Sequence, residues 1–276
     1  MTSSTLSPTA AARTLPAGRY GVSDLLRSEW VKLRTVRSTT WTLAVTVVIA
    51  IGIGVLATAE TRAHWSSVAP VTRLTFDPTQ TALVGVFFGQ LTIGILGVLA
   101  MSGEYGSGTI RATFSAAPRR PLVLATKAAV FGAVALVVSE LVTFVSYFVG
   151  QALLTAPATH TTLSSPGAVR AVVGAGLYLC VVGLFALGLA AIIRHTAGAI
   201  GAFVGVLLVL PVIIQALPSS ISDAVRPYMP TQIVAAMISL HPGIHSFAPW
   251  TGFGLMCAYA AAALGIGGIL LVRRDA

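Results

Sequence analysis

Charge is what this sequence has least of. Only 9% of its 276 residues are Asp, Glu, Lys or Arg, whereas 55% are apolar. A soluble domain carries about a quarter charged residues, so a water-facing surface for this length cannot be assembled, and the main solvent must be lipid. Lysine is scarcer still, with Lys32 and Lys127 against fifteen arginines. The net charge of +9 could suggest nucleic acid, but it lies between apolar blocks and forms no continuous basic face. Anionic phospholipid headgroups are the better expected partner. Cysteine is limited to Cys180 and Cys257, both inside apolar blocks. That excludes the disulfide framework of a secreted scaffold and leaves them as small buried hydrophobes.

Catalytic signatures are missing too. A phosphate-cradling loop needs Gly-Lys-Ser/Thr, but Lys32 follows Val31 and Lys127 follows Thr126. The chain is therefore not expected to hydrolyse ATP. No zinc-binding His-Glu-x-x-His, nucleophile elbow or paired-aspartate motif occurs, and none of the five histidines lies well inside an apolar block. His241 and His245 are four apart but separated by Pro242 and Gly243, a weak basis for a metal site. Residues 1–20 are rich in Thr, Ser, Ala and Pro with no apolar run following directly. They read as a disordered cytosolic tail rather than a cleaved signal peptide.

What is abundant is uncharged, apolar length. A bilayer core needs about 20 such residues per helix, and six segments qualify: Thr39–Ala59, Thr81–Met101, Ala125–Leu154, Ala168–Ile193, Ala197–Leu217 and Trp250–Val272. Arg194 and His195 separate the fourth and fifth, which makes a tight hairpin there. The fold expected is an all-α polytopic membrane protein, with a six-helix domain over 38–276. One side would carry Arg13, Arg19, Arg27, Lys32, Arg34, Arg37, Arg111, Arg119, Arg120, Lys127, Arg194, Arg273 and Arg274. The other would carry Arg62, Arg73, Arg170 and Arg226. Thirteen to four places both termini in the cytosol by the positive-inside rule. Gly85 with Gly89, Gly201 with Gly205, and Gly265 with Gly268 are candidate close-approach points between helices, and Pro211 predicts a kink in span five.

Residues 21–37 precede the first span. Val22, Leu25, Leu26, Trp30, Leu33 and Val36 fall within one arc of a helix, with Arg27 and Arg34 opposite. Ser23 is placed to cap it, with Asp24 in the first turn. Such a helix lies along the headgroup layer, either as a plain anchor or as a docking surface. Glu29 projects into the apolar arc and needs a cation, either Lys32 or a basic group on another subunit. Between spans two and three, the loop of 102–124 contains Gly103, Gly106 and Gly108, then a two-turn helix expected over Thr109–Ala117 and closed by Pro118. Ile110 and Phe114 share a face with Ala117. So short a helix is unstable alone in water, and membrane burial and partner docking account for it equally.

The segment Glu29-Trp30-Val31-Lys32-Leu33-Arg34 with Arg37-Ser38-Thr39 resembles the N-terminal region of permease subunits of type-2 ABC exporters. Gly103-Glu104-Tyr105, Gly108-Thr109-Ile110-Arg111, Pro118-Arg119-Arg120 and Lys127 are similar to that family's cytosolic coupling region. The resemblance implies six helices behind an amphipathic interface helix, both termini cytoplasmic, in the plasma membrane. It implies a separate ABC ATPase carrying the ATP and Mg²⁺, a second permease copy or a paralogue, and efflux of a drug, lipid or peptide. Glu29, Glu104, Thr109, Ile110, Arg111 and Phe114 would then couple the permease to the ATPase.

One ionisable residue stands deep in a span. Glu140, at the middle of the third, is followed by Thr143, Tyr147 and Gln151 on the same side of the helix. A charge there costs at least ~2.5 kcal/mol, so the stripe must face protein or water. It is either a hydrogen-bonded cluster or a wall of a translocation path, with Gln90 and Gln215 as candidate neutral partners. Glu140 also leaves open a proton-coupled secondary transporter, although no internal repeat supports one. A non-transport assembly or anchor protein is a third reading. Finally, the loop of 218–249 contains an apolar stretch, Thr231–Leu240, too short to span. It reads as a re-entrant or interfacial helix, and the resemblance implies a short helical hairpin capping the exit of the pathway.

Overall fold

The structure, a computed structural model, describes residues 21–106, 108–109, 119–156, 158–241, 243 and 246–273. Among them 84% are helical and none lies in a strand. Six helices are long and apolar enough to cross a membrane: α2 (Arg37–Ala63), α5 (Val86–Gly106), α6 (Arg120–Leu153), α7 (Ala168–Ile193), α8 (Thr196–Gln215) and α11 (Pro249–Arg273). The chain is thus built as a multi-pass membrane protein. Shorter helices precede and connect the spans: α1 (Val22–Thr35), α3 (Pro70–Leu74), α4 (Pro78–Ala82), α9 (Ser219–Val225) and α10 (Pro230–Ile238). The expected tail over 1–20 lies outside the described residues, as does most of the expected Thr109–Ala117 helix.

Helix α7 is the axle of the bundle, packing against α5, α6 and α11. Its sequence explains why. A Cβ added at Gly174, Gly176, Gly183 or Gly188 would fall within 3.0 Å of Met237, Glu140, Phe131 and Ala263 respectively. These glycines leave room for neighbouring helices at close range, where dispersion rather than hydrophobicity holds helices together in lipid. Arg194, with φ 62°, ends α7, and His195 accepts the Gly198 N–H at 3.3 Å to start α8. The hairpin is built by the two residues that interrupt the apolar run.

Several local expectations are corrected. Helix α1 is capped at Gly21, not Ser23, and the Gly21 N–H donates to Asp24 Oδ2 at 3.1 Å. Span two does not run continuously from Thr81. Asp77 caps the separate α4, residues 83–85 turn, and α5 begins at Val86. Within this turn Gly85 lies against the Ala50 carbonyl of α2, which an added Cβ would strike. Gly85 and Gly89 therefore seat α5 on α2 within the chain and are not free for a second copy, whereas Gly201, Gly205 and Gly265 have open space. Ahead of Pro211, α8 adopts a π-helical turn over Gly205–Val209, a widening that relieves the missing proline N–H. Helix α10, in the stretch expected as a re-entrant or interfacial helix, is packed into the bundle. Ile233, Val234, Ala236, Met237 and Ile238 are all buried, and it packs against α7 and α11.

Candidate functional site

Four charged side chains meet where α1, α5 and α6 converge. Glu29 is the buried residue of α1, at 3% exposure, while Glu104 near the end of α5 is 9% exposed and Lys127 in the second turn of α6 is 6% exposed. Lys127 Nζ donates to Glu29 Oε2 and, at 2.8 Å, to Glu104 Oε1. Lys32 Nζ donates to Glu29 Oε1 at 2.7 Å and to Glu104 Oε1 at 2.8 Å. Two carboxylates and two ammoniums alternate, so the cluster is neutral. Both lysines of the chain are spent here. A compact ammonium on a flexible stem can insert between two carboxylates where a planar guanidinium would demand a fork geometry.

The cluster is anchored where its helices begin and end. Glu29 sits two turns into α1 on the face toward α6, and Lys127 is held by a helix whose first turn contains Pro121. Burial pulls the Lys32 pKa down, but the hydrogen bonds Lys32 donates to Glu104 and Glu29, with the charges of those carboxylates, outweigh it and hold the pKa above the ordinary lysine value. A cavity of about 390 Å³ adjoins the cluster, bordered by Glu29, Lys32, Thr39, Thr109, Lys127 and Phe131. The sequence expects Lys32 as a partner of Glu29 and the structure has that pair. It does not anticipate Lys127 as that partner, because Lys127 stands at the very start of the third expected span, Ala125–Leu154, and counts there as a loop charge. Of the other expected coupling residues, Thr109 borders the cavity, whereas Ile110, Arg111 and Phe114 lie outside the described residues.

The stripe on α6 divides in two. Gln151 Nε2 donates to the Pro78 carbonyl at 3.0 Å, and Gln151 Oε1 accepts the Thr161 N–H at 2.7 Å. Tyr147 donates to Thr161 Oγ1 at 3.4 Å, and Thr161 Oγ1 lies 2.9 Å from Thr79 Oγ1. Thr143, fully buried, donates to the Glu140 carbonyl at 3.0 Å. Glu140 itself lies flat against Gly176 of α7, and its Oε2 is buried without a hydrogen-bond partner among the described residues. Neither glutamine expected beside it serves. Gln90 Oε1 accepts from Tyr178 at 2.8 Å, and Gln215 is exposed.

At the opposite end of the bundle, Asp77 does the joining. Its Oδ1 accepts the Thr79 and Gln80 N–H groups at 3.0 Å, and its Oδ2 accepts Ser239 Oγ at 3.1 Å and the Leu240 N–H at 2.6 Å. Arg170 donates to the Met237 and Ser239 carbonyls at 3.2 and 2.8 Å, closing the end of α10. The signal for Asp77 was present in Asp77-Pro78, a cap followed by proline at the first helical position. His241 donates its backbone N–H to Ser239 Oγ, and His245 lies outside the described residues, so the pair expected as a weak metal site is not placed. Compared with protein-family models and with curated proteins, the chain matches none.

Proposed function

We propose that this chain is the membrane-spanning permease subunit of an ABC exporter, moving a substrate across the cell membrane with energy from a separate ATPase that binds the ATP and Mg²⁺. The subunit works with a second copy or a paralogue. The observation that carries the reading is the neutral cluster of Glu29, Lys32, Glu104 and Lys127. It clamps α1 to the end of α5 and the start of α6, the two helices that flank residues 107–118. A push on that connection is then delivered to three helices at once instead of being absorbed by a loose loop. The excess of thirteen basic residues over four supports a cytosolic position for this end, where the ATPase would be, with α1 along the inner headgroup layer.

Coupling is tested by purifying the full chain from its native membrane. A P-loop ATPase should copurify, and F114D should leave hydrolysis running while transport stops. In a chain with Cys180 and Cys257 replaced by Ser, labelling of Phe114→Cys by an impermeant thiol reagent from the cell exterior would overturn the proposal.

One observation favours a second reading. The Oε2 of Glu140 at mid-span, without a partner among the described residues, is what a proton-coupled secondary transporter would use. Proton-driven flux from the isolated chain in proteoliposomes would establish it. E140Q keeps the shape, so assembly should be intact, and wild-type transport by that variant would remove Glu140 from the translocation path.

A further inference from the structure

Near the end of the bundle that carries the ion cluster, α6 and α11 leave an open groove of about 610 Å³ between them. Leu124, Ala125 and Ala128 form one wall, and Gly265 and Gly268 form the other. From Gly265 to Arg273 the wall rises about 12 Å along α11, at 1.5 Å per residue. The groove lies inside two membrane spans, so its lower part is at the depth of lipid tails. Its mouth is different. Arg273, exposed, borders it, and beside it Arg120 donates to the Leu271 carbonyl at 3.0 Å and Arg194 to the Leu270 carbonyl at 2.8 Å. An apolar slot with the exposed Arg273 guanidinium at its mouth, and two more arginines bonded to the same helix end, has the chemistry of a site for an amphiphile with an anionic head.

The geometry points to a bound anionic phospholipid, with one acyl chain against Gly265 and Gly268 and the headgroup phosphate at Arg273. The inference rests on the membrane-spanning architecture and is independent of the coupling proposal. A second copy of the chain is the other candidate occupant, and charge argues against it. A two-fold contact sets the same patch against itself, which would bring arginine toward arginine. Of the described acidic residues at this end, Glu29 and Glu104 already bridge to the lysines, Asp24 caps its own helix by accepting the Gly21 N–H, and none of the three lines the groove. An anionic headgroup brings a negative charge to Arg273.

The test uses the full chain in nanodiscs of phosphatidylcholine, with spin-labelled phosphatidylglycerol and phosphatidylcholine compared by electron paramagnetic resonance. The wild type should prefer phosphatidylglycerol, and R273Q should lower that preference about fivefold, the share of one basic residue at the membrane surface. G265L, at a position with open space around an added Cβ, should displace both lipids by filling the slot. Equal association of the two lipids with the wild type, or unchanged preference in R273Q, would overturn the assignment. Loss of dimers in G265L with lipid association unchanged would also overturn it, giving the groove to a second copy.

Discussion

Substituting Lys127 by Met isolates what the ion cluster contributes. Met has nearly the same length and fits an apolar helix, so the change removes the charge and little else. Glu29 and Glu104, at 3% and 9% exposure, would then share the single ammonium of Lys32. Breaking a buried pair by deleting one partner costs about 3–5 kcal/mol. For a chain of this size that is a fall in Tm of roughly 6–20 °C. Lys32→Met should cost much less, because its side chain is 38% exposed and water re-enters on that side. Adding Glu29→Gln to K127M restores neutrality around the remaining Lys32–Glu104 pair. The double variant should therefore be more stable than K127M alone, with a coupling energy of about 0.5–3 kcal/mol. Thermal unfolding of the full chain in detergent, followed by helical circular dichroism, measures all four corners of the cycle. A K127M variant within 1 kcal/mol of wild type, or a K32M variant worse than K127M, would refute the assignment of Lys127 as the buried centre of the cluster.

Three other perturbations follow from the geometry. D77A removes a helix cap worth about 0.5–2 kcal/mol together with the bonds to Ser239 and Leu240, each about 1.5–3 kcal/mol for a charged acceptor. It should release α10 and raise hydrogen exchange at residues 230–240, with unaltered exchange there counting against the bolt. G176A should destabilise by about 1–3 kcal/mol through overpacking, since the new Cβ meets the Glu140 carboxyl at 2.5–2.8 Å. E140A should rescue it by vacating that space, and absence of rescue in thermal unfolding would show that the contact is not what limits the site. Because the Lys32 pKa is raised on folding, its stabilisation is complete below the ordinary lysine value of about 10.4 and is lost as pH rises through the higher folded value. The stability difference between wild type and K32M should accordingly be flat from neutral pH up to about pH 10 and shrink above it, as read by denaturation at stepped pH.

How much of this was legible in the sequence depends on whether one segment or two carried the information. Apolar length is a property of a single segment, and the six spans stand where hydropathy predicts, with α7 at Ala168–Ile193 in both readings. The break before α5 is not a property of its own segment, because Leu83, Val84 and Gly85 are as uncharged as their neighbours. Its surroundings come from another helix, since Gly85 lies against the backbone of α2 at Ala50. The same holds for the glycine pair Gly85 and Gly89, whose spacing announces a close approach without naming the helix that makes it.

The polar residues divide in the same way. Period 3.6 puts Glu140, Thr143, Tyr147 and Gln151 on one face, and three of them are buried. It could not supply Thr161 and Pro78, which belong to connections outside the helix. Glu29 carried the stronger message, since an acid in an apolar arc requires a cation. The choice of Lys127, 98 residues away, needed the third dimension, yet the candidates were few. In a chain with two lysines, a buried carboxylate that excludes the broad guanidinium has only those two to take, and the structure gives it both. Scarcity of charge thus narrows the pairing problem. Each ionisable residue embedded in an apolar run must be satisfied by another such residue, by a backbone end, or by something outside the chain. Glu29, Glu104, Lys32 and Lys127 form ion pairs with one another, and Asp77 and Arg170 bond to backbone ends. Glu140, a carboxyl inside a span with no ion pair among the described residues and an Oε2 buried without a hydrogen bond there, is therefore the position where substitution should alter what the chain does more than how it folds.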